Sequence, residues 1–165
     1  MKRIAACVML LVAALTQVTW APRAQIAGVF PNLVLLAVIA IAWQRGVRTG
    51  LVAAAAGGVL LDLCSAGPVG PHVIALLAGV YVTGFWIRNA ESPNAVHVAS
   101  STALATVVYA LVLIATSVAL RNPSLGLTAG VELAAAAAVY NALLAPPAVA
   151  AVRTVDSLGR VREAQ

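Results

Sequence analysis

The chain has 165 residues, 62% of them hydrophobic and 9% charged, with a mean hydropathy of +1.00. Soluble domains carry roughly 25% charged residues, so this composition excludes a soluble globular fold and requires a bilayer. The net charge of +5 does not mark a nucleic-acid partner, because the arginines stand at the ends of apolar segments and no basic cluster interleaves with aromatics.

A bilayer crossing takes about 20 apolar residues. Six segments reach or approach that length, at 4–20, 31–43, 47–63, 73–87, 95–120 and 127–152. The first follows Lys2 and Arg3 and could imitate a signal peptide. However, Ala21-Pro22 is a poor cleavage site and apolar segments continue to residue 152. The second opens on Pro31 and Asn32, and proline suits the first helical position, where its missing N–H would be unpaired anyway. At 1.5 Å per residue it spans only about 20 Å. Residues 26–30 are therefore expected to dip into the membrane as a re-entrant or interfacial piece, tolerated only where protein or water satisfies the backbone.

The third segment carries small residues at steps of three and four: Gly50, Ala54, Gly57 and Gly58, followed by Leu61. Such a face lets another helix approach closely, either a span of this chain or a partner's helix. The segment ends in "LLDLCSAGPVGPH". Gly67 and Gly70 allow positive φ, while Pro68 and Pro71 fix φ and remove donors, so a tight reversal is expected there. Asp62 stands at the end of the span, where a carboxylate is costly and usually has a reason. Three readings are open for it: an interfacial acid that snorkels or caps the turn, a buried contact with His72 or with backbone N–H groups of the 65–70 turn, or a proton or ligand site. Ser65 can partner the same turn.

The fifth segment has a hydroxyl stripe at Thr102, Thr106, Tyr109 and Thr116, read as structural glue. In the sixth, Glu132 lies one turn in and is expected to face the bundle, a wet pocket or Arg121. Asn141 lies mid-span and needs a hydrogen-bond partner. Pro146 and Pro147 should release carbonyls one turn back and kink the helix. Residues 153–165, "RTVDSLGRVREAQ", read as a short basic tail, either one interfacial turn or without structure.

With both ends in the cytoplasm, Lys2, Arg3, Arg45, Arg48, Arg88, Arg153, Arg160 and Arg162 are inside, and Arg23 and Arg121 outside. Eight against two satisfies the positive-inside rule and an even number of spans. Trp20, Trp43 and Trp86 fall at segment ends, as interfacial aromatics do. Cys7 and Cys64 sit towards opposite leaflets, which excludes a disulfide or shared metal, and both read as buried small hydrophobes. Catalytic motifs such as HExxH, CxxC, GxSxG or a P-loop are missing. Neither enzyme activity nor a cofactor nor a metal is expected.

Three stretches then align with one family. Pro31-Asn32-Leu33 opens the short span. Arg45-Gly46, Gly57 and the D-x-x-S-x-x-P-x-G pattern of Asp62, Ser65, Pro68 and Gly70 follow. "YNALLAPP", with Asn141 and Pro146, closes the chain. Together they resemble the rod shape-determining protein MreD family of bacteria, although Asn32 stands where the family often has Asp. The resemblance implies an all-α bundle of six transmembrane helices in the cytoplasmic (inner) membrane, similar to the substrate-binding subunits of energy-coupling-factor transporters. It implies a non-enzymatic scaffold of the cell-wall elongation machinery. The implied partners are an MreC-like single-span protein, RodA-type glycosyltransferases and class B penicillin-binding proteins, with MreB filaments reached indirectly. The competing reading is a transporter subunit that binds a vitamin or ion. Asp62, Ser65, His72, Glu132 and Asn141 would then line its pocket.

Overall fold

A computed structural model of the chain describes residues 2–20, 23, 29–65, 67–90, 94–120 and 127–163, with side chains described for 6–20, 23, 29–65, 67–90, 94–120 and 130–157. The described residues form six helices: α1 Lys2–Thr19, α2 Leu33–Arg45, α3 Val47–Cys64, α4 Pro71–Asn89, α5 Ala95–Ala119 and α6 Leu127–Glu163. They follow the six apolar segments of the sequence in order.

The architecture is one helix inside a ring of five. α2 touches all the others, and around it the contacts run α1–α3–α4–α5–α6, closing through a slight α6–α1 seam. The sequence LVLLAVIAIA explains the central place, because a helix that is apolar on every side must be covered on every side. Residues Val34 through Ala42 are all buried. Thirteen residues make a helix of about 20 Å, short of the roughly 30 Å hydrocarbon core. The ring keeps α2 from lipid, so its shortness exposes no backbone.

The start of α2 differs from the expectation. Asn32 is the N-cap, its Oδ1 accepting from the Leu35 N–H at 2.9 Å, and Pro31 stands before the cap. The expected re-entrant piece at 26–30 falls mostly outside the described residues; only Val29, buried, and Phe30, exposed, are seen.

The small-residue face of α3 is used within the chain. Gly50, Ala54, Gly57, Gly58 and Leu61 are all buried. A Cβ at Gly57 would come within 2.8 Å of Val34 Cγ1 on α2, and one at Gly58 would run into the Val73 backbone of α4. The alternative of a partner's helix on this face is therefore ruled out. Gly46 (φ +88°) joins α2 to α3 and Gly70 (φ +129°) opens α4. Gly67, expected to share that role, keeps an ordinary φ.

α6 does not stop at residue 152. It continues through Pro146 and Pro147 to Glu163, so the supposed tail is helix as far as it is described, rather than one interfacial turn or a stretch without structure. The physical reason is an anchor: Asp156 pairs with Arg45 at the end of α2. Among the described residues, Val47–Cys64, Pro71–Asn89, Ala95–Ala119 and Gly130–Ser157 are long and apolar enough to cross a membrane, while α1 and α2 are shorter apolar helices.

Candidate functional site

Among the described residues most buried polar side chains gather in three places, two of which tie helices distant in sequence. The first is the α3–α4 turn. Asp62 is only 1% exposed. Its Oδ2 accepts from the Gly70 N–H at 2.8 Å and the Val73 N–H at 3.4 Å, and its Oδ1 from the His72 N–H at 3.0 Å. His72 Nδ1 lies 2.8 Å from the same Oδ1. The first N–H groups of a helix have no partner within it, and Gly70 has no side chain to cap α4. Asp62 supplies that cap from the neighbouring helix, and an anion at a helix N-terminus also suits the helix dipole. Of the three readings of Asp62, the structure takes the buried contact, with both the backbone and His72. Ser65 turns the other way: its hydroxyl donates to the Asp62 carbonyl at 2.9 Å and finishes α3. Pro68 borders a hollow of about 460 Å³ beside His72.

The second cluster lies between α2, α5 and α6. Asn141 is fully buried. Its Oδ1 accepts from the Asn32 N–H at 3.0 Å, and its Nδ2 donates to Thr106 Oγ1 at 3.2 Å. The sequence demanded a partner for Asn141, and the structure provides two. Tyr109, also buried, stands one turn beyond Thr106 on α5, and its ring lies 6.2 Å from the His72 ring. It thereby links the second cluster to the first. Gln17 Oε1 on α1 accepts the Val34 N–H at 3.0 Å. Two of the first N–H groups of α2 thus go to side chains of other helices. The stripe on α5 divides: Thr102 and Thr106 donate to carbonyls four residues back, at 2.7 and 2.8 Å, and Thr116 to Leu113 at 3.0 Å.

The third cluster is at the opposite end of the bundle. Arg45 forks onto Asp156, with Nε to Oδ2 at 3.1 Å and Nη2 to Oδ1. This fork joins α2 to α6 across 111 residues, and both side chains are mostly buried. Nearby, Trp43 Nε1 donates to Ser101 Oγ at 3.3 Å, so this tryptophan packs inward rather than serving only as an interfacial anchor.

Two expectations are corrected. Glu132 does not face the bundle; it is exposed, and Arg121 lies outside the described residues. Placed in the first turns of α6, its carboxylate can reach the membrane interface, which removes the need for a buried partner. Cys7 and Cys64 are exposed free thiols rather than buried ones. Among the described residues no group of three His, Cys, Asp or Glu stands together to hold a metal. Gln17 and Asp156 escaped the sequence reading. Asp156 had one signal, as one of two acids in an otherwise basic C-terminal stretch. Gln17 had none beyond being polar inside an apolar run.

Fold and clusters together define a class: a helical membrane protein whose buried polar groups hold its own helices in place. The chain matches the family model described as rod shape-determining protein MreD over residues 1–148, and it belongs to that family. No curated protein and no solved structure matches it significantly. Membership makes it a membrane protein of rod-shape determination.

Proposed function

We propose that this chain is a non-enzymatic scaffold of the bacterial cell-wall elongation complex, holding an MreC-like single-span protein beside the peptidoglycan-synthesising enzymes. The family match over residues 1–148 carries this reading. The internal use of polar groups supports it. Asp62, Asn141, Gln17, Asn32 and Arg45 each bond within the chain, in the manner of a framework. In this reading all six helices cross the inner membrane in the architecture of the energy-coupling-factor substrate subunits, with both termini cytoplasmic and the α2–α3 junction at the cytoplasmic face. Because α3 uses its small-residue face internally, the partner's helix packs on an outward face of the ring.

Affinity purification from native membranes in mild detergent tests the partner. An MreC-like protein should follow the chain into the eluate. Recovery of paired ATPases with a coupling subunit would instead identify a transporter subunit. Orientation is tested separately with a membrane-impermeant maleimide. Cys64, exposed at the last residue of α3, should label from outside intact cells, and Cys7, within α1, should not. Labelling of Cys64 only after the membrane is opened would invert the topology.

A further inference from the structure

A groove of about 920 Å³ opens at the α2–α3 end of the bundle. Its apolar lining runs from exposed Val52 and Ala56 on α3 to a floor of buried Leu10 on α1 and Ile41 on α2, and its mouth holds Arg45, Arg48 and Asp156. From Arg48 to Ala56 is eight residues of α3, or about 12 Å at 1.5 Å per residue. Arg48 and Ala56 are exposed, and Val52 at the groove's edge is 72% exposed, so the groove can be entered from the bilayer side.

We infer that this groove binds an anionic phospholipid, with the phosphate at Arg48 and the first part of an acyl chain along Val52 and Ala56. Charge argues for the headgroup. Two guanidiniums face one carboxylate at the mouth, leaving a net positive charge. Asp156 engages Arg45 and fixes its plane, while Arg48 has no ion-pair partner among the described residues. A guanidinium presents a planar fork of donors that matches phosphate oxygens. Basic pockets between spans on the cytoplasmic side suit anionic headgroups. The apolar walls argue for a lipid over a soluble anion, which has no use for them. The length argues against a partner's span, which needs a stripe nearer the 30 Å of the hydrocarbon core. The inference rests on the proposed orientation only for the choice of leaflet.

The test is native mass spectrometry of the full chain released from non-ionic detergent micelles. The micelles are doped with equal amounts of dioleoylphosphatidylglycerol and dioleoylphosphatidylcholine. The wild type should retain the glycerol lipid in clear preference. R48Q should weaken that preference about fivefold, the effect of one arginine near a headgroup. A56W, which fills an exposed wall position, should abolish it. R88Q, which changes a basic residue at the end of α4 away from the groove, should behave as wild type. Equal retention of the two lipids overturns the inference. So does an R48Q or A56W variant that keeps the wild-type preference, or displacement by glycerol phosphate as effective as by the whole lipid. These outcomes are independent of whether an MreC-like partner is recovered from membranes, so either claim can fail alone.

Discussion

Replacing Asp62 tests whether a side chain of α3 caps α4. In D62L a carboxylate that is 1% exposed becomes an isosteric apolar group. The Gly70 and His72 N–H groups, at 2.8 and 3.0 Å from its oxygens, lose their acceptor. An orphaned buried donor costs about 1–3 kcal/mol, so two cost roughly 2–6 kcal/mol. That is a large share of the 5–15 kcal/mol by which folded proteins are typically stable. D62N keeps one carbonyl oxygen. That oxygen can serve Gly70 or His72, but the amide nitrogen then meets the other N–H donor to donor. D62N should therefore lose about 1–3 kcal/mol, one donor's share. The assay is unfolding in mixed micelles of rising SDS fraction. It can be followed by the fluorescence of the three tryptophans, among them Trp86 in the last turn of α4. The expected order of midpoints is wild type, then D62N, then D62L. If D62L unfolds with or after D62N, Asp62 does not cap α4 and the turn is held by its glycines and prolines alone.

In the same assay, N141L should lose roughly 1–3 kcal/mol by stranding the Asn32 N–H; a midpoint at the wild-type value would mean that the contact between α6 and the start of α2 contributes nothing. G58A tests close approach. Its Cβ would meet the Val73 backbone, which cannot rotate away, so a cost of about 1–3 kcal/mol is expected from overpacking, and unchanged unfolding would show that α3 and α4 stand further apart. For the Arg45–Asp156 pair, D156N and R45Q should each shorten the folded life of the C-terminal part of α6, read as faster proteolysis beyond residue 152. The exchange R45D/D156R should restore part of the loss, and equal proteolysis of all four chains would remove the anchor.

The number of helices and most of their bounds were legible in the sequence, because a long apolar run in a charge-poor chain has few other uses. Asp62 was legible too, as an acid beside glycines and prolines at a span end, though the sequence left its role open. What stayed hidden is pairing at a distance. Asn141 announces that it needs a partner, but nothing local says that the partner is the backbone of Asn32, 109 residues away. Arg45 looks like an interfacial anchor until Asp156 is seen beside it. Glu132 misled because its register on α6, which decides whether it faces protein or water, depends on how that helix packs. The short second segment misled in a related way. Its length was judged against the bilayer, whereas its surroundings are other helices.

That last point bears on how the chain enters the membrane. A helix of 13 residues, wrapped by five others, is poorly suited to wait alone in lipid for its neighbours. It is joined to α3 through the single residue Gly46, and two of its first N–H groups depend on Gln17 of α1 and Asn141 of α6. α2 therefore leaves the translocon most readily as a hairpin with α3. It completes its backbone bonding only when α6, made well after it, arrives. The centre of the bundle is early in synthesis and late in assembly.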